Sequence, residues 1–368
     1  MNGSLASVYF ASDQVICAVA HHEGLKIGAQ FERIRHKPSN QPGRVPKAHH
    51  ADIRLAVRQI GELLEGETLD GVMLICPGPL RSIDRHSKHY GKVGRNCEAA
   101  HWRDDTNIID LFRNEMGTKY ANSITENTVI RMYGKAGATS IGDYLGRHAD
   151  SIRERVKNEE FERDIYKDIG NYLHITADSS IRAALVVEGE PFHGEAAMEV
   201  GHHAVLPAKI DQEHRDRLSC PAHPQRPCLN SLASLPAIKR RWKELENTAF
   251  KDIKDTEKVS LVSWYISQMV SNVILSTSPA KVVVGGRIAD NQKFLELLRK
   301  HVFYLLMDRE YPGEVYPGYT ELQDMEDFIS WQTDKDAGVK GGIYLLFRLL
   351  LKERKIVDLN KAKQVWPL

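Results

Sequence analysis

Residues 199–228 constrain this chain more than any other stretch. They hold Glu199-Val200-Gly201-His202-His203, then Cys220-Pro221-Ala222-His223, then Cys228-Leu229. Zinc(II) takes four tetrahedral Cys and His ligands in structural sites, so donors spread along a loop bind one ion only if the loop folds back on a single point. Cys220, His223, Cys228 and one of His202 or His203 complete that set, with no position open for catalysis. A structural zinc ion is expected, with the four ligands His202, Cys220, His223 and Cys228. The spacing C-x2-H-x4-C with a distant His matches no standard zinc finger.

The same residues carry a family likeness. Glu-x-Gly-His, the Cys/His cluster and the run Leu229-Asn-Ser-Leu-Ala-Ser-Leu-Pro-Ala-Ile238-Lys-Arg-Arg-Trp242 resemble the signature of the ROK family of sugar kinases and sugar-responsive repressors, in its fructokinase-like branch. Val15-Ile-Cys-Ala-Val19 resembles the first strand of those fructokinases, Cys76-Pro-Gly-Pro79 a Pro-Gly-Pro turn, and Tyr90-Gly91 with Trp102 a sugar-side loop. Val282-Val-Val-Gly-Gly286 resembles the adenosine-side strand and turn, and Asp336-Ala-Gly338 to Gly341-Gly342 the start of the last helix. The resemblance implies an α/β, two-lobed, actin-like fold of the duplicated ribonuclease H-like kind, closing on a ligand in its cleft. It predicts a small lobe over 1–130, with a C-terminal helix at 345–368 packing back on it, and a large lobe over 131–344 carrying the zinc loop 199–228.

Composition narrows the partners. A net charge of +1 gives no electrostatic case for nucleic acid or an anionic membrane. The neutral balance fits small-molecule or protein partners, and the resemblance implies a small-molecule sugar or glycoside. Five cysteines without a framework spacing fit a reducing compartment, and the N-terminus lacks a basic region followed by an apolar stretch, so a cytoplasmic protein is expected. Family repressors carry an additional N-terminal helix-turn-helix, which makes a DNA-binding role unexpected; a homodimer is expected from the family.

Short β-branched runs alternate with helical periodicity. Val8–Ala20 reads as a strand turning into a second strand, Asp52–Leu64 as an amphipathic helix, Gly71–Cys76, Ala183–Val187 and Val282–Val284 as strands. Val259, Val262, Ile266, Met269, Val270 and Val273 mark one face of a long core helix, and the mixed charge of 147–167 reads as a solvated helix.

Phosphoryl transfer is mostly positioning and charge stabilisation, with a carboxylate to receive the sugar proton. The family's first phosphate turn aligns on Tyr9-Phe10-Ala11-Ser12-Asp13 and its second on Asp178-Ser179-Ser180-Ile181-Arg182-Ala183-Ala184, without the expected glycines. The third reads Gly285-Gly286-Arg287. Matching the helix end Gly142-Asp143-Tyr144 puts Lys135 where the family carries its catalytic Asp. An ammonium does not accept a proton at its ordinary pKa.

On the sugar side, the likeness gives Glu199 and His202 as contacts, Asn230 where a second Glu is expected, and Trp102. These departures predict a carbohydrate-binding, sugar-responsive regulatory protein without kinase activity, using neither ATP nor Mg²⁺. Two other readings stand beside it. One is a rebuilt carbohydrate-active enzyme such as a glycoside hydrolase, with catalytic candidates Glu199, Asp13, Asp178 and Lys135; the other is an ATP-dependent sugar kinase. The new charges are also expected to pair with one another across the former nucleotide site.

Overall fold

The computed structural model describes residues 2–11, 14–23, 26–34, 48–82, 84–94, 97, 102–103, 105–149, 170–192, 198–212, 220, 223, 226–307 and 321–353. The chain divides into two compact units. Unit 1 comprises 1–169, 188–197 and 334–368, and unit 2 comprises 170–187 and 198–333.

Unit 1 is built on a five-stranded sheet. β1 (Asn2–Phe10), β2 (Val15–Glu23) and β3 (Lys26–Ile34) form antiparallel pairs, and β4 (Leu69–Cys76) and β5 (Val129–Gly134) run parallel to β1, in the order β3-β2-β1-β4-β5. Alternation along β1 decides which face each residue buries. Ala6, Val8 and Phe10 join one apolar cluster with Ile53, Val57 and Ile60 of α1 (Ala48–Leu63) and Phe112 of α2 (Ile108–Lys119). Leu5 joins the other, with Ala138 of α3 (Lys135–Arg147) and Val339, Ile343 and Leu346 of the C-terminal helix α8 (Ala337–Glu353).

The boundary expected at residue 130 falls inside this unit. The reason is the α3–α8 crossing: a Cβ on Gly142 would collide with the Ala337 carbonyl, and one on Gly341 with the Ala138 carbonyl. The two backbones approach so closely that α3 cannot belong to another body. β8 (Glu190–Pro191) also sits in unit 1, where Glu190 pairs with Arg348 of α8.

In unit 2, β6 (Tyr172–Ala177) pairs antiparallel with β7 (Ile181–Val187) and parallel with β9 (Lys281–Gly285), and β9 is parallel to β10 (Ile329–Trp331). Leu173, Ile175 and Ala177 face a core filled by α6 (Thr256–Thr277) and α7 (Gln292–Leu306). The stripe Val259, Val262, Ile266, Met269, Val270 and Val273 is buried in that core, as its spacing predicts. By length and apolarity α6 alone among the described helices could cross a membrane, but here it is the core helix of this unit. Asp255 caps it through the N–H groups of Glu257 and Lys258.

Asn291 caps α7 and also donates its amide to the carbonyls of Phe250 (2.9 Å) and Ile253 (3.1 Å). One buried side chain thus ties the start of α7 to the segment that leads into α6.

Candidate functional site

In unit 2, Glu199-Val200-Gly201-His202 turns out of a segment lying against the start of β7. A Cβ on Gly201 would collide with the Ile181 carbonyl and the Asn230 amide, so only glycine lets the turn pack there. The Asn230 side-chain oxygen accepts the Ile181 N–H at 2.7 Å. Asn230 therefore brackets α4 (Leu229–Ala233) to β7, and its oxygen already has a backbone partner.

The turn places His202 beside both cysteines. His202 Nδ1 lies 3.7 Å from Cys220 Sγ and 3.8 Å from Cys228 Sγ, and its ring centroid is 5.0 Å from that of His223. Donor atoms of His202, Cys220, His223 and Cys228 all lie within 4.8 Å of one another. A nitrogen about 2.1 Å and a sulfur about 2.3 Å from one tetrahedral centre stand about 3.6 Å apart, close to the two His202–cysteine separations. His223 Nδ1 is buried and has no hydrogen-bond partner among the described residues, as a nitrogen reserved for a metal would be.

Burial, with Arg182, His223 and Arg226 nearby, holds the His202 imidazole below its ordinary pKa and so in the neutral form a metal requires. Burial pushes the Cys228 thiol up. A cation in the cluster would reverse that, since metal-bound thiols deprotonate. The Leu229 N–H bonds the His203 carbonyl at 3.0 Å, fixing the backbone between the two halves of the ligand set. His203 is not part of the cluster.

Glu199 lies next to this cluster, with one carboxylate oxygen 4.0 Å from His202 Nε2. The other, Oε1, is buried without a hydrogen-bond partner among the described residues. Burial raises the carboxyl above its usual range, and Arg182 partly opposes the rise. A carboxylate oxygen that lacks a partner suits a ligand hydroxyl, which would donate the missing hydrogen bond.

The remaining candidates fall elsewhere. Asp178, in the β6–β7 turn, is gripped by Arg287: its two oxygens accept from Arg287 Nε at 3.0 Å each, and Oδ2 accepts the Arg287 backbone N–H at 3.2 Å. Burial pushes the Asp178 carboxyl up, but the guanidinium together with the Ser179 and Arg287 backbone N–H groups more than offsets this and leaves it below the ordinary carboxylate range. The charge pairing expected across this region involves Arg287, a partner the sequence did not single out for Asp178. Arg182 instead donates to Ser180 Oγ at 2.8 Å.

In unit 1, Lys135 opens α3 with its ammonium 5.5 Å above the Tyr9 ring. Trp102 is 3% exposed and packs on Phe10 at 4.9 Å and His49 at 5.7 Å, which leaves little ring face for a sugar. Asp13 lies outside the described residues, as do 150–167 of the expected charged helix and 354–368 of the expected C-terminal one.

A family model described as the ROK family matches residues 160–346, just over half of the chain. A Bacillus subtilis protein named "Putative fructokinase" is 23% identical over 358 residues, covering 95% of this chain and 97% of that protein. A fructokinase of Pediococcus pentosaceus is 26% identical over 49% of this chain and 57% of its own length. Among solved structures, a ROK hexokinase from Thermus thermophilus aligns with TM-score 0.56 and 17% identity over 94% of this chain and 99% of its own. A ROK glucokinase from Streptomyces griseus, solved with glucose and AMPPNP, aligns with TM-score 0.59 and 16% identity over 93% and 99%. The expected actin-like, two-lobed ROK fold is the fold of these proteins.

These relatives correct one expectation. A carbohydrate-binding regulator without kinase activity, independent of ATP and Mg²⁺, was expected from the missing glycine turns and from Lys135, yet the whole-length relative carries a sugar kinase's name. The physical weakness of that expectation is that it counted only backbone amides as phosphate ligands and only one helix start as a source of the base. Side-chain guanidinium groups hold phosphate as well.

Proposed function

This chain belongs to the ROK family, and on that premise we propose that it is an ATP-dependent sugar kinase of the fructokinase-like kind, transferring the γ-phosphoryl group to a hydroxyl of a hexose. The observation that carries the reading is the end-to-end likeness to the Bacillus subtilis protein, which leaves no large part of either chain unmatched. It acts on a small-molecule sugar. A homodimer and a cytoplasmic location remain part of the proposal, and five cysteines that are all free thiols support the location alone.

The chemistry needs a sugar held by its hydroxyls, a proton acceptor and a grip on the phosphates. Glu199 supplies the first two. Its partnerless Oε1 accepts a hydrogen bond from the sugar, and its carboxylate, made more basic by burial, receives the proton as the hydroxyl attacks. Lys135, a cation at the start of α3, does not act as base in this account. Asn230 and Gly201 hold the Glu199 turn against β7, so that the carboxylate is presented at a fixed place.

Zinc fits the four-residue cluster by donor set, by spacing and by the orphaned His223 nitrogen. With Cys220, His223, Cys228 and His202 as ligands, it would brace the loop that carries Glu199 and leave no position for substrate. Mg²⁺ accompanying ATP would spread charge over the transferring phosphates.

Glu199→Gln tests the assignment. It keeps the shape and one acceptor oxygen but cannot take a proton. The expected result is a fall in kcat with fructose and ATP by about 10²- to 10⁴-fold, with the zinc content unchanged. Turnover within twofold or so of wild type would remove Glu199 from the mechanism.

A further inference from the structure

All five cysteines are free thiols, and Cys17, Cys76 and Cys97 lie in the apolar cluster that packs under α1 and α2 in unit 1. Burial holds the Cys76 thiol well above its ordinary pKa against the opposing charge of Lys135, and Cys97 is close enough to add to the rise. The thiolate is the form that reacts with oxidants, so a thiol kept neutral in an apolar cluster is inert.

Cys220 and Cys228 are placed differently. They stand eight positions apart in the chain. Their sulfurs belong to one set of donor atoms that lie within 4.8 Å of one another, and that set meets solvent through His202, whose side chain is 22% exposed. Sulfurs that hold a zinc ion do so as thiolates. The pair therefore combines what the thiols of unit 1 lack: ionised sulfur beside solvent, with a second such sulfur in reach. The two are also unequal. Cys220 is 5% exposed, whereas Cys228 is fully covered at the start of α4, its backbone N–H bonded to Ser231 Oγ at 2.9 Å. A small oxidant meets Cys220 first.

We propose that Cys220 and Cys228 are a peroxide-sensitive pair, whose oxidation to a disulfide displaces the metal and frees the turn that carries Glu199. The Cys220 sulfur attacks one oxygen of hydrogen peroxide: an S–O bond forms, the O–O bond breaks, and the departing hydroxide takes a proton and leaves as water. The Cys228 sulfur then attacks the sulfenic acid on Cys220: the S–S bond forms, the S–O bond breaks, and a second hydroxide is protonated to water. Two thiolates, one peroxide and two protons give one disulfide and two waters, and both electrons come from sulfur. Two sulfurs about 2.3 Å from one tetrahedral centre stand about 3.8 Å apart, against about 2.05 Å in a disulfide, so the bridged and metal-bound states exclude each other. Disulfide formation does not depend on the kinase reading; the loss of turnover does, through Glu199.

Zinc-loaded protein treated with hydrogen peroxide is read in three ways: non-reducing peptide mapping by mass spectrometry, zinc released to a colorimetric chelator, and sugar phosphorylation before and after dithiothreitol and Zn²⁺ are added. A Cys220–Cys228 bridge is expected, with about one zinc ion freed per bridge, turnover lost in step with it, and both restored by thiol and metal. With a dione that traps sulfenic acids, Cys228→Ser is expected to be labelled at Cys220, and Cys220→Ser to stay unlabelled at Cys228.

A bridge between Cys76 and Cys97 in place of this one, or zinc retained once the Cys220–Cys228 bridge has formed, overturns the proposal. So does a bridged, zinc-free protein that turns over as fast as the reduced one. Equal labelling of Cys220 and Cys228 in the two serine variants overturns the order of attack. If the reduced protein phosphorylates no sugar, the kinase reading fails, and the bridge and the zinc still decide this proposal. Should the serine variants not fold, the peptide map of the wild type decides: thiols 220 and 228 left intact by peroxide overturn it.

Discussion

The Cys228 sulfur and His202 Nδ1 stand 3.8 Å apart although twenty-six positions separate them in the chain, and Cys220 Sγ approaches the same nitrogen at 3.7 Å. Two ligands of one zinc ion take this separation, whereas thiol and imidazole packed without a metal have no reason to converge with a second such pair. Purified protein is therefore expected to carry about one zinc per chain by elemental analysis. Cys220→Ser is expected to lose the metal and several degrees of melting temperature, because binding a structural ion is coupled to folding. A folded, metal-free wild type with the same melting temperature would refute it.

The crossing of α3 and α8 gives a second prediction. Gly142 faces the Ala337 carbonyl and Gly341 faces the Ala138 carbonyl, and a carbonyl held in a helix cannot swing aside for a methyl group. Gly341→Ala is expected to destabilise the protein by about 1–3 kcal/mol, despite the better helix propensity of alanine. Chemical denaturation measures this, and an unchanged or raised midpoint would contradict the close approach.

Acid should weaken the Asp178–Arg287 pair. The folded-state pKa of Asp178 lies below its unfolded value, so the pair's contribution is present above the ordinary carboxylate pKa, about 4, and fades as pH falls toward the folded value. The difference in stability between wild type and Asp178→Asn is expected to shrink progressively below that pH. Denaturant midpoints collected from neutral pH downward give the comparison, and a difference independent of pH would mean that the carboxylate is not ionised in the folded protein.

Much of the fold is legible in the sequence where one physical rule acts alone. The three-and-four spacing from Val259 to Val273 marks the buried face of α6, and the β-branched runs at 71–76 and 282–284 fall within strands. The donor set of the metal cluster is legible too, since four soft ligands within a short stretch restrict the geometry. The choice between His202 and His203 is not, because adjacent residues differ only in how the Glu199 turn is wound.

Long-range relations were not legible. Asp178 and Arg287 are 109 positions apart, and only the parallel pairing of β6 with β9 brings them together. Gly341 reads as the start of a helix, yet its role is to admit α3. Missing glycines at the phosphate turns likewise say what the backbone does not offer, and are silent on side chains contributed from elsewhere.

The most direct measurement follows the γ-phosphate. Zinc-loaded protein is incubated with Mg²⁺, γ-labelled ATP and fructose, and the label is traced by separating sugar phosphate from ATP and free phosphate. The account predicts sugar-dependent transfer of label to a fructose phosphate ester, largely lost in Glu199→Gln. Label that remains in ATP across a panel of hexoses, or that reaches inorganic phosphate at the same rate with and without sugar, would contradict it.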